Sequence, residues 1–365
     1  MNENTTLCII FWNLGIGGIQ KRIRDIALDI SKSKANHRVL ILLRSDDKKG
    51  FSLVLQGVKN VRVLVYPHAH LTYRPPFGFF FWIAWTLARV KPAVVLTFLP
   101  PLTIALAIIR KFMFWIKYYL VFNDGVLLTN FLIIRRRQWL ALWIRTCYRV
   151  ADLIIAPSEA VKKDLVEHFH VAPNTIAVIS NWTLFPVEHK KASLYDLIYV
   201  GRFDREKNTQ SLLNLVNYMR KSNVNMRMAL LGEGDLADAI HQEILRMKLT
   251  KNVIVFPFSL SVEKYLRRSK ILVLPSEIEG MPNVVLEAAM CGVPSVINNF
   301  PGAQEVVIDG KTGYVTNSQG EMIRKIRQLL DNPERASRMG RKAQEYVLKH
   351  FHSAKQKQFI DALLS

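Results

Sequence analysis

Short unbroken apolar runs that alternate with helix-period stretches, stop, and then start again set the tightest limit on how this chain can fold. The first series lies at 7–11, 38–43, 61–65, 93–97 and 153–156, and the second at 197–200, 227–231, 253–256, 271–274 and 294–297. A strand with one wet face alternates apolar and polar residues, whereas a run that is apolar throughout has both faces covered, as in a parallel sheet packed between helices. Helical patterns such as 209–220 and 261–268 separate the runs of the second series. Two such series predict an α/β chain of two doubly wound, Rossmann-like domains. A length of 365 residues agrees, since one core stops growing before that size. The polar, Pro-containing segment 185–195 reads as the link between domains assigned to 1–187 and 195–345. The stretch 337–364 reads as helix, with 346–365 returning toward the first domain.

Charge narrows the surroundings. The chain carries 50 Lys and Arg against 29 Asp and Glu, a net +21, which favours polyanionic partners such as nucleic acid or anionic lipid. Between 51 and 150 there are 13 basic residues and one acid, Asp124, interleaved with Trp and Phe. That mixture points to a lipid interface, and no helix-turn-helix, RNA-recognition or zinc-finger pattern supports the nucleic-acid alternative. Cys8, Cys147 and Cys291 have neither paired spacing nor a nearby His cluster, so no disulfide framework or metal site is expected, and a reducing compartment fits. No signal peptide is evident. The apolar stretches 76–88 and 101–122 are too short or too interrupted by Arg110, Lys111 and Lys117 to cross a bilayer, which leaves an in-plane or cleft-facing role.

Three segments that follow strands of the second series carry the chemistry. PSEIEGMPNVVLEAAMCG at 275–292 places Glu279 on a loop and Glu287 one turn into a helix that opens after Gly280, Met281 and Pro282 at Asn283. A helix start offers backbone N–H groups and a positive dipole end to a diphosphate. Glu287 can reach back to ribose hydroxyls, and Glu279 to a sugar beyond the phosphates. GRFDREKN at 201–208 puts Arg202 and Lys207 where cations can hold a leaving diphosphate, and LGEGD at 231–235 offers Gly232 and Gly234 for close backbone approach to a ligand. In the first series Gly15 to Gly18 precede a helix expected near Gln20, although the spacing fails the dinucleotide fingerprint.

These motifs together resemble the family 4 glycosyltransferases, a group of retaining enzymes with the GT-B fold, in which two Rossmann-like domains face each other across a cleft. Glu279 and Glu287 match the family's E-x7-E, Arg202 and Lys207 its basic pair, Gly232, Gly234 and Asp235 its G-x-G-D/E element, and Gly17 and Gly18 its N-terminal glycine loop. The segments 299–315 and 156–165 add to the likeness. The resemblance implies a nucleotide-sugar donor, UDP- or GDP-linked, held mainly by the second domain through Gly232, Gly234, Gly280, Met281, Pro282, Asn283 and Glu287. It implies catalytic roles for Arg202, Lys207 and Glu279, a hexose or N-acetylhexosamine moved with retention to an acceptor held by the first domain, and no metal or other cofactor. Where many members carry a His, this chain reads VFNDG at 121–125, so Asn123 or Asp124 could contact the sugar, or the stretch could be a plain turn.

The segment 135–149, RRRQWLALWIRTCYR, reads as an amphipathic interfacial helix with Arg135, Arg136, Arg137, Trp139 and Trp143 toward an anionic leaflet. With the resemblance, this makes a lipid-linked glycan or polysaccharide the expected acceptor. It also makes the cytoplasmic side of the plasma or inner membrane the expected location, in lipopolysaccharide or polysaccharide assembly. The competing readings are another sugar-nucleotide enzyme on the same scaffold, such as an epimerase, and a basic nucleic-acid-binding protein.

Overall fold

A computed structural model describes residues 5–15, 17–33, 37–46, 50–67, 77–134, 136–188, 192–222, 224 and 226–364. The chain divides into two compact units, Met1–Ile179 together with Gln356–Ser365, and Ser180–Lys355.

The first unit is built on strands β1 (Thr6–Phe11), β2 (Arg38–Leu43), β3 (Val61–Val65), β4 (Val94–Phe98), β5 (Tyr119–Asn123), β6 (Leu153–Ala156) and β7 (Ile176–Val178). They pair in the order β3-β2-β1-β4-β5-β6-β7, and every pairing is parallel. The central strands are apolar throughout because helices cover both faces: Cys8, Ile9, Ile10, Val95, Leu96, Leu120 and Val121 expose nothing to solvent. The second unit repeats the scheme with β8 (Tyr195–Val200), β9 (Met228–Leu231), β10 (Val253–Phe256), β11 (Ser269–Leu274), β12 (Ser295–Asn298) and β13 (Gly313–Thr316), in the order β10-β9-β8-β11-β12-β13 and again all parallel.

In each sheet the chain winds outward from one central strand, returns, and winds the other way. Successive connections therefore diverge between β1 and β4 in the first unit and between β8 and β11 in the second. A crevice opens at such a switch point, outside the carboxyl ends of the strands.

The expected strands are all present, with ends shifted by one or two residues. β5 was hidden inside the apolar stretch 101–122, which is in fact the helix Pro100–Phe112, a turn and a strand. β7 is three residues long and too short for a period to register. The single helix read over 337–364 is two, Pro333–His350 and Ser353–Leu364, because Phe351 leaves helical geometry. The interfacial helix read over 135–149 is shorter as well. It spans Leu140–Tyr148, Arg136 stands before it with φ 51°, and Arg135 lies outside the described residues.

The segment leading into β8 is fastened to the second unit. Arg267, only 2 % exposed, donates to the backbone carbonyls of Pro186 (2.6 Å) and Glu188 (2.9 Å), while Thr183 N donates to Phe351 O. A guanidinium suits this role because its planar fork reaches two carbonyls at once. Arg267→Ala is expected to lower unfolding stability by about 2–4 kcal/mol, the range for losing charge-assisted hydrogen bonds at a buried site. Urea unfolding would measure it, and a midpoint equal to the parent's would show that the pins carry no load.

Candidate active site

The site is built on the loops that leave β8, β9 and β11 at the carboxyl edge of the second sheet. After β8 the chain must turn sharply into the helix Thr209–Lys221, and local capping shapes that turn. The buried Tyr199 hydroxyl donates to Arg202 O (2.8 Å). Asp204 accepts from Lys207 N (3.1 Å), closing the 3-10 turn Arg205–Lys207, and Asn208 then takes a left-handed conformation (φ 49°), which Asn tolerates well. Lys207 is thereby aimed across the switch point. Its Nζ lies 2.6 Å from Glu279 Oε1, with side chains 19 % and 11 % exposed. A parallel bridge joins Asn208 Nδ2 to Glu277 Oε1 at 3.3 Å. Arg202 is half-exposed, paired with Asp204 (3.0 Å) and Glu206 (3.7 Å).

Burial pushes the Tyr199 hydroxyl well above its ordinary range, so it remains a donor. Glu279, Asp204 and Arg202 all act on it electrostatically. Lys207 and Glu279 are thus brought together by the fold, and Arg202 stands on the same loop as Lys207, paired with Asp204 and Glu206. Glu287 sits in the helix Asn283–Met290 and is 6 % exposed. That helix opens at Pro282 with no side chain capping it, so backbone groups alone form its start. Met281 is buried, its carbonyl accepting from Asn181 Nδ2 (2.8 Å), which fixes the turn before the helix.

The glycines of the β9 loop let two loops pack closely. A Cβ on Gly232 would stand 2.0 Å from Gly201 O, and one on Gly234 would stand 2.6 Å from Phe203 O; Gly234 also has φ 155°. Phe203 N donates to Glu233 O, and Leu236 N to Phe203 O, both at 2.9 Å. The glycines let the two loops lock together, and this lock holds the Arg202–Lys207 segment in place. The contributions of Tyr199, Asp204, Asn208 and Glu277 escaped the sequence reading. Only Asp204, three residues before Lys207 at a helical turn, carried a capping signal that could have found it.

A cavity of about 310 Å³ opens beside the bridges, lined by Asn208, Glu277, Asn298, Asn299, Thr316 and Gln319 among others. Its amides are committed to protein acceptors: Asn298 to Pro275 O, Asn299 to Asn317 Oδ1 and Gln319 to Ser211 O, each at 2.8 Å. Lys207 and Glu279 are not among its lining residues.

In the first unit Gly17 (φ 154°) precedes the helix Gly18–Lys32, and its carbonyl accepts from Lys21 N at 3.0 Å. Ile16 lies outside the described residues. Asn123 ends β5 partly exposed, but Asp124 is a core group. It is wholly buried, its Oδ1 accepts from the Tyr148 hydroxyl (3.1 Å), and that hydroxyl is in turn within 3.3 Å of Thr103 Oγ1. A sugar contact by Asp124 is therefore overturned, and of the two only Asn123 reaches the surface. Arg145, in the segment expected to face a membrane, instead donates twice to His168 O (3.0 and 3.1 Å), satisfying a carbonyl at the end of the helix Glu159–Phe169.

Two family models cover nearly the whole chain: Glycosyltransferase Family 4 over residues 16–183 and Glycosyl transferases group 1 over 180–346. The chain belongs to the family 4 glycosyltransferases. Among curated relatives of this family 4 chain, a glycogen synthase of Mycobacterium tuberculosis is 27 % identical over 213 residues, covering 56 % of this chain and 51 % of that protein. The N-acetylgalactosamine-N,N'-diacetylbacillosaminyl-diphospho-undecaprenol 4-alpha-N-acetylgalactosaminyltransferase of Campylobacter jejuni is 26 % identical over 198 residues, covering 52 % and 53 %. The chain spans about half the length of these curated relatives. Among solved structures, Anabaena HepE in complex with UDP and glucose superposes with a TM-score of 0.79 at 18 % identity over 98 % of this chain and 99 % of that one. Sucrose-phosphate synthase from Thermosynechococcus elongatus gives 0.81 at 17 % over 97 % of each. Such likeness establishes the GT-B fold for this family 4 member.

Burial raises the Asp124 carboxyl to about 7, and nearby Asp164 adds to the rise. The folded state keeps this proton up to about neutrality, whereas the unfolded chain releases it near pH ~4. Between those values only the unfolded state is ionised, so this group's contribution to stability falls as pH rises across the window. Asp124→Asn is expected to show a smaller drop in melting temperature than the parent between about pH 5 and pH 8. Identical drops in the two proteins would mean that Asp124 does not titrate in the fold.

Proposed function

We propose that this family 4 chain is a retaining glycosyltransferase that moves a hexose or N-acetylhexosamine from a nucleotide sugar to a lipid-linked or polysaccharide acceptor. The reading rests on one observation: the 2.6 Å Lys207–Glu279 pair, with Arg202 beside it, spans the switch point of the second sheet. Two cations there are suited to a diphosphate, and a carboxylate within reach of one of them is suited to the hydroxyls of the sugar it carries.

Without donor, Lys207 and Glu279 neutralise each other in a poorly hydrated place, and each holds the other's rotamer. A nucleotide diphosphate brings more negative charge than one carboxylate, so it draws Lys207 and Arg202 onto its oxygens and leaves Glu279 to accept from the sugar. As the glycosidic bond to the diphosphate breaks, negative charge grows on the departing oxygen. Lys207, Arg202 and the dipole at the start of the helix Asn283–Met290 are placed to stabilise it without reorganising. This protein charge does the work a divalent ion does elsewhere, which supports a metal-independent reaction. Departure on the face from which the acceptor hydroxyl arrives retains the anomeric configuration. Glu287, near the helix start, suits the ribose.

HepE, of the same fold, was solved with UDP and with UDP-glucose, which supports a UDP-type donor here; a GDP-type donor fits the same phosphate chemistry. The Campylobacter relative is named for an undecaprenyl-diphosphate-linked substrate, and a Staphylococcus aureus relative for poly(ribitol-phosphate). These names support an acceptor on a lipid carrier or a surface polymer.

Transfer assayed with a panel of UDP and GDP sugars should fall about 10²–10³-fold in kcat/KM for Lys207→Ala. Glu279→Gln should fall by a similar factor, and the double variant by much less than the product, since contacting groups couple. UDP or GDP should raise the melting temperature of the parent and raise that of Lys207→Ala less. Parent-like turnover in both single variants, or no response to any nucleotide, would remove the basis for the proposal.

A further inference from the structure

An aromatic projection stands on the amino-terminal edge of the first sheet, where the helix Pro100–Phe112 ends and β5 begins at Tyr119. Phe112, Phe114 and Trp115 are 76 %, 79 % and 64 % exposed. Soluble surfaces seldom group large bare aromatics in this way without a partner. The projection is well supported from below. Met113 N donates to Ile109 O (2.8 Å) and Ile116 N to Met113 O (2.9 Å), while Ile116 and Tyr118 are buried beneath it. Arg110 ion-pairs with Asp152 and lies 5.6 Å from the Tyr118 ring, and the Phe114 and Trp115 rings meet edge to face at 5.3 Å. The aromatics thus stand out on a fixed turn.

The helix Leu140–Tyr148 packs against Pro100–Phe112, and Trp139, Leu142 and Trp143 stand 68 %, 71 % and 50 % exposed at helical spacing. Lys111 acts on the Cys147 thiol, so the carboxyl ends of the two helices lie together. Lys111, Lys117 and Arg149 are exposed among these apolar groups. Among the described residues no ion pair is made to them; Asp124 is buried, and Asp152 is taken by Arg110.

The pattern selects the occupant. A protein interface depletes lysine at its apolar centre, whereas an anionic bilayer presents hydrocarbon below and phosphates above, which suits bare aromatics flanked by lysines. Among the described residues no helix is long and apolar enough to cross a membrane.

We propose that Phe112, Phe114 and Trp115 form a prong that enters the headgroup–acyl boundary of an anionic leaflet. Lys111 and Lys117 lie at the level of the lipid phosphates, and Trp139, Leu142 and Trp143 lie along the interface. This surface keeps Trp139 and Trp143 of the segment expected over 135–149 and adds the turn at 112–115 beside it, while Arg145 of that segment is occupied by His168 O. It deepens the acceptor reading above, since a lipid-carried acceptor is met at such a surface, yet it can fail separately from it.

The test uses the full chain with vesicles of phosphatidylcholine containing about one third phosphatidylglycerol, and with phosphatidylcholine alone. Salt at about 0.5 M screens surface charge but not inserted apolar groups, so the parent should remain partly bound to the anionic vesicles. The variant F112S/F114S/W115S should partition at least about tenfold less, with an unchanged melting temperature and parent-like transfer to a water-soluble acceptor. Should the variant fold poorly, the parent still decides: lipids brominated near the top of the acyl chain should quench its tryptophan fluorescence, and Trp115→Phe should be quenched less. Absence of quenching, complete release of the parent by salt, or parent-like partitioning of the serine variant would each overturn the prong. Loss of transfer with vesicle binding intact would count instead against the proposed reaction.

Discussion

A strand buried on both faces must have its next parallel neighbour delivered by a crossover, and that constraint orders the whole molecule. Every strand in both sheets is entered from the same edge and left at the other, so every loop that follows a strand gathers at one edge. Residues far apart in sequence become neighbours there without any direct requirement on the segments between them. Lys207 and Glu279 are 72 positions apart, yet they touch because β8 and β11 are adjacent and the loops leaving them share the carboxyl edge.

Within that frame the site is held by polar pairs in a place that excludes much of the water. The Lys207–Glu279 and Asn208–Glu277 bridges join two loops, and the glycine contacts at Gly201, Gly232 and Gly234 join a third. A pair of this kind adds little net stability, because the attraction is offset by desolvation, but it fixes position. For the proposed reaction, whose demand is to neutralise charge on a departing diphosphate, position is what the protein has to supply.

The two units divide the remaining burdens unevenly. The acids around the candidate site lie in the second unit, where they engage Arg202 and Lys207 directly. From 51 to 150, in the first unit, thirteen basic residues face a single acid, and the aromatics on that surface are exposed instead of packed. One half of the chain thus concentrates ion pairs at the candidate site, and the other sets an excess of basic residues beside bare hydrocarbon.

Local order was legible in the sequence because local forces set it. Runs such as 38–43 and 253–256 match their strands, and Asn283–Met290 is the helix its composition announced, since period and propensity act within a few residues. The motifs Arg202, Lys207, Glu279 and Glu287 could be picked out for the same reason, each lying at the end of a recognisable strand or the start of a helix. What a given side chain meets across the fold was beyond that reach. Asp124 was open to either a turn or a sugar contact until the Tyr148 hydroxyl closed over it, and that Gly232 and Gly234 also make room for the backbone of Gly201 and Phe203 could not be read from their own loop. Trp115 and Tyr118 stand in one apolar stretch, yet one is turned to solvent and the other inward. The sequence by itself determined the strands, the helices and the chemistry available at their ends. The tertiary structure alone decided which ends meet and which faces stay bare, because contact between distant segments depends on sheet order and packing, and no single stretch of chain encodes either.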